Sequence, residues 1–173
     1  SYHSPHSIGK DSIVAIKTSL SEPPSFVLIS NNGLTEEKLF SPGYIWPYRI
    51  SVAWPLITWA ENISDPRWDN RSYSLIKILN ANTGLSLPLS SKTRYFSPSL
   101  SSDGRRVAVS VSTTDYRNSL LILENYSGNK LMEISTPGNV LVVNPRWSEN
   151  NMLAFISSGE RGEGIMVFNP ETK

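Results

Sequence analysis

Short apolar runs that alternate with polar residues cover most of the chain, and turn residues separate them. The clearest stretch is 95–135, which contains three apolar runs. A Ser-Asp-Gly turn precedes the first run, a polar break precedes the second and a Tyr-Ser-Gly turn precedes the third. Each run has the length and the period of two that are typical of a half-buried strand. No segment shows helical periodicity over ten or more residues. The pattern therefore predicts an all-β protein.

The same phrase recurs along the chain, and a proline opens each copy. The opening prolines recur at intervals of roughly 40–50 residues, which is the length of one four-stranded blade of a β-propeller; they are Pro5, Pro47, Pro98 and Pro145. We predict one partial propeller segment over residues 1–173, with about four blade-like repeats of four-stranded antiparallel sheets. The repeats are predicted to span about 5–46, 47–97, 98–144 and 145–173, and the last is truncated.

An array of this kind leaves unpaired strand edges at its ends. Such edges pair readily with other strands, and repeat arrays need capped or closed ends. We therefore expect the chain to be part of a larger propeller, or to complete itself through another copy. The expected partners are the remaining blades of the parent chain or another protein.

A long polar loop, predicted over 62–72, distinguishes the second repeat from the others. It contains Arg67, Trp68, Asp69 and Arg71. Tryptophan and arginine are enriched at the energetic centres of protein interfaces, so these four residues form a candidate binding site. The alternative is a structural lock, in which an arginine stacks on the indole ring and holds the loop in place.

The other aromatic, histidine and glycine-rich positions have structural interpretations. Trp54 and Trp59 lie within strand patterns and are expected to be in the core. His3 and His6 are close to the N-terminus, where chains usually fray. The segment 158–164 reads Ser-Gly-Glu-Arg-Gly-Glu-Gly and is expected to be a flexible loop.

Composition excludes several classes of function. The formal net charge is +1, so no strong field favours nucleic acid. The chain has no cysteine, which excludes disulfides, thiolate zinc sites and cysteine nucleophiles. No apolar run approaches the ~18 residues of a membrane-spanning helix, so no membrane insertion of this segment is expected.

The sequence offers no convincing catalytic constellation. It lacks the Gly-x-Ser-x-Gly elbow of a hydrolase nucleophile, and its histidines are His3 and His6 alone. Asp65 and Asp69 share a loop, but aspartate before proline or within a loop more often caps the backbone than transfers protons. We therefore predict no catalytic residues, no metal site and no cofactor.

Two of the repeats carry a recognisable motif. Pro98 to Val109 reads PSLSSDGRRVAV, and Pro145 to Phe155 reads PRWSENNMLAF. Both resemble the WD-like repeats of TolB-type β-propellers, whose pattern is Pro-x-Trp-Ser-x-Asp-Gly-x-x-Ile-Ala-Phe. The second repeat departs further, with Trp54-Pro55 in place of the turn. The resemblance covers nearly the whole chain and implies structural roles for Pro98, Asp103, Gly104, Pro145 and Trp147.

The resemblance also implies a function. The loop around Trp68 is similar to one found in large TolB-like proteins of Bacteroidetes-type bacteria, in which the propeller is a non-catalytic envelope module in the periplasm or at the surface. This implies a scaffold or a protein- or ligand-interaction module. Related propellers also form the substrate-gating domains of prolyl oligopeptidase-like and tricorn-like peptidases, which is the alternative. A polyuronide lyase is a weaker option, because its chemistry usually recruits histidine or metal ligands in the central channel.

Overall fold

The computed structural model describes residues 1–67, 72–160 and 162–172. Within these residues the chain forms four antiparallel sheets and one short 3₁₀ turn at Pro137–Asn139. The first sheet consists of β1 (Tyr2–Ser7), β2 (Ser12–Lys17), β3 (Ser25–Ser30) and β4 (Thr35–Phe40). The second consists of β5 (Ser51–Ala53), β6 (Leu56–Ser64), β7 (Ser72–Asn80) and β8 (Leu85–Pro88).

The third and fourth sheets follow the same plan. The third consists of β9 (Tyr95–Leu100), β10 (Arg106–Ser112), β11 (Asn118–Glu124) and β12 (Lys130–Ser135). The fourth consists of β13 (Leu141–Trp147), β14 (Leu153–Gly159) and β15 (Gly162–Phe168). In every sheet each strand pairs with the next one along the chain. The prediction of an all-β partial propeller, with an incomplete last repeat, is confirmed.

Three apolar clusters fill the spaces between consecutive sheets. The side chains of β10, a strand buried on both faces, contribute to two of these clusters. Val107 and Val109 pack with Ile76 of the second sheet, whereas Ala108 packs with Val142 of the fourth. Because side chains alternate along a strand, a continuous apolar run is what a sheet covered on both faces requires.

Trp59 is the largest buried side chain between the first and second sheets. Its ring meets Phe26 edge-on at a centroid distance of 4.9 Å and lies 5.5 Å from Phe40. The prediction that Trp54 is also in the core is wrong, since that side chain is 40% exposed. Trp54 lies in the turn between β5 and β6, where its side chain meets solvent.

Strand pairing extends further than the sequence pattern predicts in three places. The N-terminal residues do not fray, because β1 pairs with β2 and carries His3 and His6 into the first sheet. The glycine-rich segment is not a long loop, because β14 and β15 pair up to Gly159 and Gly162. The loop of the second repeat is shorter than predicted, since β6 and β7 pair as far as Ser64 and Ser72. Backbone hydrogen bonds hold these polar ends together without apolar side chains.

A β-bulge repeats in the first strand of three sheets. It coincides with an irregular register between β1 and β2, between β9 and β10, and between β13 and β14. At each bulge, the residue before the opening proline has a positive φ: 49° at Ser4, 52° at Ser97 and 54° at Asn144. The opening prolines of these three repeats thus mark a bend in the strand rather than its beginning.

Candidate functional site

The predicted binding loop is only partly within the described residues. Arg67 is exposed, and its backbone N–H donates to Oδ1 of Asp65 at 2.9 Å. Trp68, Asp69 and Arg71 lie outside the described residues. Asp65 does cap the loop backbone, as expected for an aspartate before a proline. The assignment of these residues as a binding site stays a prediction.

Asp103 and Gly104 form the hairpin turn that joins β9 to β10. The Ser101 hydroxyl donates to Oδ1 of Asp103 at 2.6 Å, and the backbone N–H of Arg105 donates to the same oxygen at 3.0 Å. The Ser101 hydrogen bond, with help from the Arg105 N–H and two neighbouring arginines, holds the pKa of Asp103 below its usual range. Gly104 has a φ of +70°, a conformation that glycine adopts without strain.

Trp147 connects the fourth sheet to the third. Its indole N–H donates to the backbone carbonyl of Ser99 at 3.1 Å, and the guanidinium carbon of Arg106 lies 4.9 Å from the ring centroid. Pro98 and Pro145 are buried at the bulges of β9 and β13. These contacts are between protein groups and lock one sheet against the next.

The first strands of the sheets, β1, β5, β9 and β13, approach one another and are called the central strands here. The Ser51 hydroxyl of β5 accepts a hydrogen bond from the Leu100 N–H of β9 at 3.0 Å. The Ser4 hydroxyl of β1 accepts from the N–H of Ile50 at 3.3 Å. Asn144 of β13 accepts at Oδ1 from Arg49 at 2.6 Å. Hydrogen bonds therefore join groups from all four repeats near the centre of the arc.

Three basic side chains lie near this centre: His6 from β1, Arg49 from the segment before β5, and Arg146 from β13. Burial lowers the pKa of His6, its hydrogen bond to the Ile50 carbonyl (3.0 Å) partly opposes that shift, and the positive charge of Arg146 adds to it. Arg146 is exposed to solvent, but partial desolvation lowers its pKa and the neighbouring charge of Arg49 lowers it further. We call these three residues the central basic cluster.

A cleft of about 160 Å³ adjoins the cluster between the second and third sheets. Its lining includes the aromatic side chains of Trp46, Tyr95 and Phe96, together with Arg49 and Ser97. Trp46 is 63% exposed, and its carbonyl is held by the side-chain amide of Asn62 at 2.9 Å. The cleft, called the aromatic cleft here, therefore joins apolar walls to positive charge.

Sequence reasoning did not find the central basic cluster. Its members come from three repeats and are separated by up to 140 residues, so no local motif contains them. One signal was present, because all three follow an opening proline by one or two positions.

The described part of the chain lacks two features, a metal-ligand cluster and a membrane-spanning helix. No group of three or more histidine, cysteine, aspartate or glutamate side chains is arranged there to hold a metal ion. No helix there is both long and apolar enough to cross a membrane.

The fold is similar to that of several solved structures, whereas no family model and no curated protein matches the sequence. A putative TolB from Agrobacterium tumefaciens is 12% identical with a TM-score of 0.68, over 93% of this chain and 58% of that one. A chain from a nidogen/laminin complex is 14% identical with a TM-score of 0.62, over 93% and 57%. A structure from a study of two prolyl endopeptidases is 12% identical with a TM-score of 0.68, over 100% and 28%.

These likenesses show the fold. The resemblance to TolB-type propellers is confirmed at that level, and the sheets are those of part of a β-propeller. The chain spans less than two thirds of the length of each of these three structures.

Proposed function

We propose that this chain is a non-catalytic β-propeller segment of a larger bacterial envelope protein, where it acts as a scaffold and protein-interaction module. The fold likeness to TolB supports an envelope location, and the nidogen/laminin complex is an example of a similar fold in a protein assembly. The observation that carries the proposal is the outer edge of the fourth sheet.

That edge is formed by β15 and is apolar. In the other three sheets the third strand is followed by a fourth, which is β4, β8 or β12. β15 is the outermost strand of its sheet among the described residues, and its Ile165 and Val167 are 79% and 63% exposed. An apolar strand with a free edge is a template for pairing with an added strand. The surface therefore suits an extended segment of the remaining blades or of a protein partner.

The edge is tested by replacing Ile165 and Val167 with lysine. Lysines on an edge strand oppose the addition of another strand, and at exposed positions they cost little stability. A peptide with the sequence of β12, Lys-Leu-Met-Glu-Ile-Ser, supplies a strand like the fourth strand of the third sheet. We expect this peptide to slow amide hydrogen exchange in β15 of the unmodified chain and to have no effect on the double variant.

The control is Leu20→Lys with Leu34→Lys, which adds the same charge at two exposed positions outside the strands. This control should respond to the peptide like the unmodified chain. If the peptide leaves exchange in β15 unchanged, or protects the edge variant equally, the edge is not the interaction surface.

The loop with Arg67, Trp68, Asp69 and Arg71 is proposed as a second contact surface. Trp68→Ala combined with Arg71→Ala is expected to leave the thermal transition unchanged and to abolish capture of the partner from an envelope extract, since tryptophan and arginine dominate interface energies. Tyr116→Ala with Arg117→Ala removes an exposed aromatic residue and an exposed arginine from another turn and serves as the control. Capture that survives the loop variant would remove the loop from the proposal.

A second candidate function is the substrate-gating propeller domain of a multidomain peptidase. The likeness to the prolyl endopeptidase structure, which extends over the whole of this chain, favours it. The open reading frame that encodes the chain distinguishes the two. An α/β-hydrolase or tricorn-like segment in the same frame supports the peptidase, and a frame without one excludes it.

A further inference from the structure

Arg49 and Arg146 differ from the other paired basic side chains in having neutral partners. Five basic residues in the described part form ion pairs with carboxylates, and neither of these arginines is among them. Arg49 donates to the amide oxygen of Asn144 at 2.6 Å, and Arg146 donates to the carbonyl of Pro145 at 3.4 Å. The positive charge of Arg49 acts on Arg146, and an anion bound between the two would relieve that repulsion.

The guanidinium of Arg49 is held in position before any ligand arrives. Its acceptor, Asn144, lies at the bulge of β13, and the Ser97 hydroxyl also donates to the same Oδ1 at 3.5 Å. A guanidinium presents a planar fork of N–H donors that matches the two oxygens of a carboxylate. His6, whose Nε2 bonds to the carbonyl of the adjacent Ile50, brings no negative charge to the site.

The aromatic cleft beside Arg49 has room for one apolar group. Its volume is about 160 Å³, and a cavity of about 150 Å³ holds a benzene ring. Trp46 and Phe96 provide aromatic faces against which such a ring packs. An apolar group and a negative charge on one ligand are thus accommodated side by side.

We propose that this site binds a carboxylate that carries an aromatic or large aliphatic group, with the carboxylate on Arg49 and Arg146 and the apolar group between Trp46 and Phe96. The C-terminal residue of a protein chain and a free aromatic acid share this chemistry. The site is at the centre of the arc, so it is separate from the β15 edge and from the loop of the second repeat.

The test compares two probes that differ only in charge, N-acetylphenylalanine and N-acetylphenylalaninamide. Binding is followed by nuclear magnetic resonance from the indole N–H of Trp46, which is assigned by its loss in Trp46→Phe. We expect a saturable shift with the acid and affinity at least tenfold lower for the amide. Inorganic phosphate, which has the charge without the apolar group, should also bind at least tenfold more weakly.

Arg49→Gln and Arg146→Gln are each expected to weaken binding of the acid at least tenfold. Arg105→Gln makes the same change of charge on the exposed β9–β10 turn and should bind normally. The comparison of acid with amide on the unmodified chain needs no variant, so it decides the matter even if an arginine variant fails to fold.

Equal binding of acid and amide, equal binding of phosphate, or an equal loss in Arg105→Gln would overturn the proposal. A short peptide that ends in phenylalanine separates the two sources of the ligand. Tighter binding of the peptide than of the small acid supports a protein C-terminus as the ligand, and the reverse supports a free aromatic acid.

Discussion

Replacing Gly128 with alanine is expected to lower the free energy of unfolding by about 3–5 kcal/mol. Gly128 lies in the turn between β11 and β12 with a φ of +70°. A Cβ there would lie 2.8 Å from the carbonyl carbon of Leu89 and closer still to its oxygen. The obstacle is backbone, and Leu89 is itself tied to β7 by a hydrogen bond of 2.7 Å from its N–H to the Ile76 carbonyl.

Gly84→Ala is the matched control, because Gly84 occupies the equivalent turn of the second repeat. Its φ is also +70°, but a Cβ at Gly84 would meet nothing within 4 Å. We expect only the cost of a left-handed alanine, about 1 kcal/mol. Urea unfolding of both variants measures the difference. Equal costs would mean that the turn of the third repeat moves freely away from Leu89.

Replacing Glu61 with alanine is expected to cost about 3–5 kcal/mol, because Glu61 is a buried carboxylate with three partners. Oε1 accepts from the indole N–H of Trp59 and from the backbone N–H of Gly43, both at 2.9 Å. Oε2 pairs with Lys77 at 3.1 Å. Alanine would leave the Trp59 and Gly43 donors unpaired, and a buried donor without a partner costs about 1–3 kcal/mol.

Glu61→Gln separates hydrogen bonding from charge. The amide keeps an oxygen for Trp59 and Gly43 and loses only the ion pair with Lys77, so a clearly smaller loss is expected in the same urea measurement. Glu36→Ala on the outer strand β4 removes the exposed pair with Lys17 and should change little. If alanine and glutamine at position 61 cost the same, the hydrogen bonds contribute nothing beyond the ion pair.

Strands flanked by clear turns are predictable from the sequence. β2 (Ser12–Lys17) is recognisable in the sequence, because an apolar run there is followed by a segment in which two prolines end strand pairing. The ends of β6 and β7 were underestimated. Residues 62–64 are mostly polar, yet their backbone groups still pair with the neighbouring strand. Backbone hydrogen bonds between two strands need only that both segments are extended and adjacent. The hydropathy of the side chains does not show whether this condition is met.

The centre of the arc was beyond sequence reasoning for a different reason. Arg49 and Asn144 bond across 95 positions, and this contact depends on how whole sheets are placed beside one another. Periodicity predicts which side of a strand is apolar, but it carries no information on which repeats face each other at their inner edges. The loop of the second repeat was instead singled out as a candidate binding site because its composition differs from that of the other repeats.

In β1, β9 and β13, the bulge residue makes polar contacts at the centre of the arc, while the rest of the strand pairs within its sheet. Asparagine and aspartate are among the non-glycine residues that adopt a positive φ most readily, and the three positions hold Ser4, Ser97 and Asn144. Each of these repeats therefore has a hydrogen-bonding side chain at its bulge. Exchange among serine, asparagine and aspartate at these positions would alter the chemistry of the centre and leave the sheets intact. A propeller built in this way can acquire new specificities without repacking its core.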